Sequence, residues 1–253
     1  MIICIDGPAA AGKGTIAQGL ATKIGLPYLN SGYVYRALAH EVLCSRPEDG
    51  EPQYENSKTS HSTNPQSSVD IKDEADIAKF RSERFKLALD LCQRITPDLI
   101  ASLSVENKLD GAEVAQMASI IGSDPAVREA LMQVQRSFVR HGPCGDSLVT
   151  DGRDMGTVIF PEADHKFFLK ASVKVRAYRR FLQLKSTNIS YDYILRELKQ
   201  RDDRDSERAI SPLVPAEDAI VIDCTFLGIN ELENLMLSMI IGKDGELIKH
   251  KSN

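Results

Sequence analysis

A glycine-framed loop, an arginine beside an Asp–Gly turn and three regularly spaced arginines can do chemistry in this chain, and the chemistry they suit is the capture of phosphate. The loop is Gly7-Pro8-Ala9-Ala10-Ala11-Gly12-Lys13-Gly14-Thr15. It follows the apolar run Ile2-Ile3-Cys4-Ile5-Asp6 and precedes the helical pattern Ile16–Ala21. Strand, glycine-rich turn and helix, in that order, make the G-x-x-x-x-G-K match a phosphate-binding loop. Gly7 and Gly12 let the backbone curl so that successive N–H groups converge on phosphate oxygens, and the helix that follows aims its positive end at the same charge. Lys13 is a mobile cation able to follow β- and γ-phosphates. The usual pattern places Ser or Thr directly after the lysine, as a magnesium ligand. Here Gly14 takes that slot and Thr15 reads as a helix-start residue. No side chain is therefore assigned as a direct metal ligand. Mg²⁺ is expected to be held mainly by nucleotide phosphates and water, in keeping with its reluctance to dehydrate. A GTPase switch, which relies on the missing hydroxyl, is disfavoured.

The second group is Asp151-Gly152-Arg153-Asp154, directly after the strand-like Ser147–Thr150. Strand ends of a parallel sheet converge on such a loop, where an arginine can fork onto a phosphate. An Asp–Gly turn with a surface ion pair is the plainer alternative. The third group runs Arg201-Asp202-Asp203-Arg204-Asp205-Ser206-Glu207-Arg208. Arg201, Arg204 and Arg208 fall at i, i+3 and i+7, one face of a helix. A solvated charged helix is the default for such a run, but the choice of arginine over lysine suits bidentate capture of phosphate. Together these groups fit phosphoryl transfer, in which catalysis is mainly positioning and electrostatic stabilisation. An acceptor that is itself a phosphate, with a second pKa near 6, is largely an anionic nucleophile at neutral pH and needs no general base. Asn107-Lys108-Leu109-Asp110 matches the N-K-x-D guanine-reading pattern, but it follows no buried strand and is set aside.

These groups must be positioned by the rest of the chain. Its 253 residues can bury one good core with a smaller attached lobe. A net charge of −5 with no basic block argues against nucleic-acid binding. Five scattered cysteines show no C-x-x-C pair or metal spacing, which fits a reducing cytoplasm. No apolar run reaches membrane-span length, and with the first strand beginning at residue 2 no signal peptide is expected. Short strands are predicted at Leu26–Leu29, Ser147–Thr150, His165–Leu169 and Ala219–Asp223. Asn30-Ser31-Gly32 is predicted as a turn before a helix over Tyr33–Leu43. Helical periodicity recurs at Ile77–Phe80, Phe85–Leu91, Ala112–Ile121 and Ala126–Val139, the last capped by Asp124, and again at Val173–Leu184, Tyr191–Lys199 and Ile229–Ile240. Ser45–Ser68 carries no aliphatic residue besides its prolines and reads as a flexible insertion. Apolar strands alternating with helices give a parallel α/β sheet, with the loop at the carboxyl end of its first strand.

Gly7–Thr15, Asn30-Ser31-Gly32-x-x-Tyr35-Arg36, Val127-Arg128-Glu129-Ala130-Leu131, Asp151–Thr157 with Val158, Phe160 and Pro161, Arg201–Asp205 and Pro212-Leu213-Val214-Pro215-Ala216 together resemble bacterial-type cytidylate kinase. The resemblance implies a P-loop NTPase-type parallel sheet flanked by helices, with a monophosphate-binding insert and a helical lid. Its boundaries would be core at 1–44, insert at 45–120, core at 121–199, lid at 200–211 and core at 212–253. It implies transfer of the γ-phosphoryl group of ATP to CMP or dCMP with Mg²⁺, in a cytoplasmic monomer with no nucleic-acid or membrane partner. Carried over by position, Ser31 and Asp205 would meet the ribose, and Arg36 and Arg153 the acceptor phosphate. Arg201, Arg204 and Arg208 would close over the phosphates, and Ser119, Arg128 and Asp154 would read the base. Arginine and serine can donate to cytosine O2 and N3, and an aspartate can accept from the N4 amine. Uracil would face that carboxylate with an oxygen, so CMP is expected over UMP. The chain departs from the family at Asn30, where aspartate is common, at Tyr33, where a small residue is usual, and at Ile120, where a basic residue often lies. Another phosphoryl transferase on the same scaffold, with UMP, AMP or an alcohol as acceptor, and a nucleotide-dependent switch are the competing readings.

Overall fold

The computed structural model of the protein describes residues 1–45, 74–140, 146–184 and 189–241. The polar stretch predicted to be flexible, apart from Ser45, lies outside the described residues, as does the tail after Ile241. In chain order the elements are β1 (Ile2–Asp6), α1 (Lys13–Ile24), β2 (Tyr28–Asn30), α2 (Ser31–Cys44), α3 (Glu74–Leu91), α4 (Pro97–Val105), α5 (Ala112–Ile121), α6 (Pro125–Arg140), β3 (Leu148–Gly152), β4 (His165–Lys170), α7 (Val173–Gln183), α8 (Tyr191–Glu207), β5 (Ile220–Asp223) and α9 (Ile229–Ile240). Two compact units result: Met1–Val34 with Met132–Asn253, and Tyr35–Leu131.

The first unit holds a five-stranded sheet in the order β2-β3-β1-β4-β5, parallel at every pairing. This is the P-loop NTPase-type α/β sheet flanked by helices. Strand β1 is central because its run of apolar residues suits burial on both faces, and Ile3 and Ile5 are wholly buried. The chain leaves β1 toward β2 and β3 on one side and reaches β4 and β5 on the other, so the loop after β1 opens at the switch point where such sheets bind ligands. Ile16, Ala17 and Leu20 of α1 and Leu232, Met236 and Ile240 of α9 recur at helical spacing and close the core over Val149, Phe167 and Leu169. A smaller cluster joins Ala9 of the loop to Ala177, Ile194 and Leu198, on α7 and α8.

One carboxylate ties the strand ends together. Asp6, buried at the end of β1, accepts the backbone N–H groups of Met155 at 3.0 Å and Gly156 at 2.8 Å. Those residues open a single π-helical turn, Met155–Ile159. Its far end is fixed by Arg136, which donates to the carbonyls of Ile159 at 2.9 Å and Val158 at 3.0 Å. In the second unit, Leu38, Val42, Ala88, Leu103, Leu109, Met117, Ile121 and Val127 are among the buried residues.

Several local predictions change. Asn30-Ser31-Gly32 is no turn: β2 passes straight into α2, which begins at Ser31, and Asn30 stands where asparagine is a favoured helix cap. The charged stretch after Lys199 continues α8 as far as Glu207, and Arg208 has already left the helix with extended backbone. The Leu213 N–H closes that end by donating to the Asp205 carbonyl at 2.8 Å. The helix at 97–105 and the π-helical turn are additions.

Burial raises the Asp6 pKa from the ordinary 3.8 to about 6, against the lowering effect of its two N–H donors. The native state therefore holds this proton more tightly than the unfolded chain. The associated stability is full below about pH 3.8 and is lost as pH rises through about 6. In urea titrations, the stability of the wild type relative to Asp6→Asn is expected to fall by up to about 3 kcal/mol between pH 4 and 7.5, from a shift of about two units. A pH-independent difference would show that Asp6 ionises normally.

Candidate active site

The loop after β1 is shaped by two glycines that leave the ordinary backbone regions. Gly7 has φ 146° and Gly12, which precedes α1, has φ 92°. A Cβ on Gly7 would lie 2.3 Å from the Leu169 carbonyl oxygen, in the neighbouring strand β4. Ala10 also takes a positive φ, 59°. Ala9 and Ala11 are buried, and Lys13 is only 5% exposed. Its ammonium folds back on the loop and donates to the Pro8 carbonyl at 2.8 Å. Burial, and then the charge of Arg153, pull its pKa well below the usual lysine range, while Asp151 and Asp6 oppose them. An incoming polyphosphate would relieve that tension by supplying negative charge.

Asp151 sits at the end of β3, buried against this lysine. Burial raises its pKa, opposed first by Lys13, then by the Tyr28 hydroxyl and Arg153. The Tyr28 hydroxyl donates to Asp151 Oδ1 at 2.6 Å. A Cβ added to Gly14 would lie 3.3 Å from that hydroxyl oxygen and 3.9 Å from Asp151 Oδ2. The carboxylate thus borders the place where other phosphate loops carry their hydroxyl.

The arginines gather about Asp205 on α8. Arg153 Nε donates to its Oδ2 at 2.9 Å, Arg201 Nε lies 4.0 Å from the same oxygen, and Arg208 Nη1 lies 3.9 Å from Oδ1. Burial opposes ionisation of Asp205, yet the three guanidinium groups hold its carboxyl below the usual range. Arg208 also donates to the Ser211 carbonyl. Arg204 is exposed and bonds back to Gln200 of its own helix at 3.2 Å, so of the predicted arginine face it is Arg201 and Arg208 that reach Asp205. Below them Arg176, only 4% exposed, forks onto Asp202 at 3.1 and 2.5 Å and donates to the carbonyls of Ala9 at 3.0 Å and Ala171 at 2.9 Å. One guanidinium therefore binds the phosphate loop to the arginine helix.

The family model for cytidylate kinase matches residues 3–241. The chain belongs to the cytidylate kinase family. Its similar relatives include the cytidylate kinase of Vibrio cholerae, 39% identical over 96% of both chains. That of Aeromonas hydrophila is 41% identical over 91% of this chain and 90% of its own. Cytidylate kinase 1 of Haemophilus influenzae is 38% identical over 95% and 93%.

The other residues matched to the cytidylate kinase pattern divide between the units. In the first, Ser31 and Asp154 are buried, and a Cβ on Gly152 would lie 2.7 Å from Ser31 Oγ, so the serine borders the Asp151–Asp154 turn. In the second, Arg36 donates to the Leu109 carbonyl at 2.7 Å and meets Asp110 at 3.4 Å. The N-K-x-D lookalike is thus a turn after α4 that holds an arginine. Ser119 is exposed on α5. Arg128 is buried on α6, donates to the Gly122 carbonyl at 3.2 Å, and stands 5.5 Å from the centre of the Tyr35 ring.

The residues present fit a nucleotide-borne magnesium ion. Among the described residues no group of three or more His, Cys, Asp or Glu side chains could hold a metal, while Asp151 Oδ2 borders the loop position that carries the metal-binding hydroxyl elsewhere. One carboxylate with phosphates and water is a usual set for this ion. No helix among the described residues is long and apolar enough to cross a membrane. Asp6, Tyr28 and Arg176 carry no role in the sequence reading, and Asp151 and Asp202 enter it only as members of their charged clusters. A carboxylate closing an apolar strand was a usable sign for Asp6 and Asp151, but nothing marks Arg176 among the basic residues of its helix.

Removing Asp202 would leave the Arg176 cation buried without its counter-ion. Asp202 is about a fifth exposed, so Asp202→Ala is expected to cost about 2 kcal/mol, below the 3–5 of a fully buried pair. Replacing both partners, Arg176→Met with Asp202→Ala, is expected to cost less than the single change. Chemical denaturation of the three variants measures this, and a double variant less stable than Asp202→Ala would contradict it.

Proposed function

We propose that the chain is a phosphotransferase that moves the γ-phosphoryl group of ATP to CMP or dCMP, giving ADP with CDP or dCDP. The observation that carries this is the cation set Lys13, Arg153, Arg201 and Arg208, gathered in one unit at the loop and α8 with Asp151 and Asp205 between them. Backbone N–H groups of Gly7–Thr15 receive the donor phosphates, and Lys13 exchanges the Pro8 carbonyl for phosphate oxygen. Arg153 and Arg36 hold the acceptor phosphate. Segment 200–211 acts as the lid, with Arg201, Arg204 and Arg208 spreading positive charge over the transferred group, where such stabilisation is most effective. The acceptor phosphate is already an anion at neutral pH, so no side chain is asked to remove a proton. Asp151, through water, would hold Mg²⁺, which neutralises charge on the donor phosphates.

Ser31 and Asp205 bind the ribose, so Asp205 exchanges arginine partners for sugar hydroxyls on substrate entry. Ser119 and Arg128 donate to cytosine O2 and N3, and Asp154 accepts from the N4 amine. The stretch 45–120 serves as the monophosphate-binding insert. The membership in the cytidylate kinase family supports each of these assignments, as does the burial of Arg128 and Asp154, since a site that hydrogen-bonds a base must shield its polar groups from water.

ADP production from ATP and Mg²⁺, with CMP, dCMP, UMP, AMP and GMP offered separately, is expected to be strong for the two cytidine nucleotides and weak for UMP. Turnover mainly with another monophosphate would remove the base-reading roles. Asp154→Ala is expected to narrow the CMP/UMP ratio of kcat/KM, by as much as about 10⁴-fold if the amine contact dominates, with little change in KM for ATP. Equal loss with both acceptors would refute that role. Arg208→Ala is expected to lower kcat by about 10³-fold, and unchanged turnover would take Arg208 out of the mechanism.

A further inference from the structure

Position 14 is glycine where other phosphate loops place a hydroxyl, and the space that a side chain would take there is closely bordered by three polar groups. The Tyr28 hydroxyl oxygen stands 3.3 Å from where the Cβ would be, and Asn30 Nδ2 and Asp151 Oδ2 stand at 3.9 Å. Three groups from β2 and β3 thus converge on one point of the loop. Their hydrogen bonds have a direction. The hydroxyl has a single proton, which it gives to Asp151 Oδ1 at 2.6 Å. Asn30 Nδ2 faces the same point, and an amide N–H, unlike a carboxylate, can donate toward the hydroxyl oxygen. A carboxylate at position 30 would instead compete with Asp151 for the tyrosine proton.

From this geometry we infer that Tyr28 is a positioning residue for phosphoryl transfer: its hydroxyl occupies Asp151 Oδ1 and so leaves Oδ2 facing the loop at Gly14, where the ion carried by the nucleotide would be held. Partners that orient a metal-binding side chain govern affinity without touching the metal, typically by about 10- to 100-fold. The inference rests on the function proposed above, in that Asp151 must face the nucleotide-borne ion.

Tyr28→Phe keeps the ring in its place between β2 and the loop and removes only the hydroxyl. For this variant the Mg²⁺ concentration giving half-maximal turnover at fixed ATP is expected to rise about tenfold, with kcat reduced and KM for CMP unchanged. Titration of Mn²⁺ into the enzyme–ADP complex, followed by electron paramagnetic resonance, is expected to show the same weakening without any turnover. Asn30→Ala should shift both readings in the same direction by a smaller factor. In an Asp151→Asn background, Tyr28→Phe should add nothing, because its route of action is gone. A Tyr28→Phe enzyme with wild-type metal affinity would overturn the inference, whether or not its thermal stability falls. So would a full additional loss in the Asp151→Asn background. If the wild type fails to phosphorylate CMP, the proposed function falls, and the Mn²⁺ comparison still decides the role of Tyr28.

Discussion

Cations that are to clasp phosphate must be held together before the phosphate arrives, and like charges at such separations repel. That constraint explains more of this structure than any single contact. Asp205 meets it for Arg153, Arg201 and Arg208, and Asp151 and Asp6 meet it for Lys13. Each carboxylate is fixed from elsewhere: Asp6 by two backbone N–H groups of the π-helical turn, Asp151 by Tyr28, and Asp205 by its place on α8. The result is a set of cations gathered at one edge of the sheet and held there by carboxylates that are themselves anchored.

The fold supplies the remaining constraint. A parallel sheet brings all its strand ends to one edge, so residues distant in sequence share a border there without long loops. Asp6 and Asp151 lie in β1 and β3, which pair directly, with Asp6 opposite Gly152. Gly7 follows β1 closely enough to β4 that only hydrogen fits against the Leu169 carbonyl. The loop therefore inherits its shape from strand pairing rather than from its own residues alone, which is how Ala10 can be kept at a positive φ.

Much of this was legible in the sequence because the signals were local. The order strand, glycine loop, helix located Gly7–Thr15, and alternating apolar strands and helices gave the parallel sheet. Caps marked helices well: Asp124 accepts the N–H groups of Ala126 and Val127 at 2.9 and 3.0 Å, and Ser172 accepts that of Val175 at 3.3 Å. The Thr96-Pro97 start of α4 carries the same kind of signal, and the Thr96 hydroxyl accepts the Leu99 N–H at 3.2 Å. What sequence could not give was direction and partnership. Helical spacing put Arg208 on a face with Arg201 and Arg204, yet it meets Asp205 from beyond the helix end. Arg176 shares its helix with Lys174, Arg179 and Arg180, and only the packing of Ala9 against α7 and α8 makes it the buried one.

That buried guanidinium has a mechanical meaning. Four hydrogen bonds lock Arg176 to the loop at Ala9, to Ala171 and to α8 at Asp202, so this part of α8 cannot drift from the phosphate loop without breaking them. From Asp202 to Glu207 the helix continues for five residues, about 8 Å at 1.5 Å per residue. Arg176 is therefore a pivot and the end of α8 a short, stiff lever. Any movement of the arginine-bearing tip would therefore be coupled to the loop after β1, and its travel limited by the length of that arm.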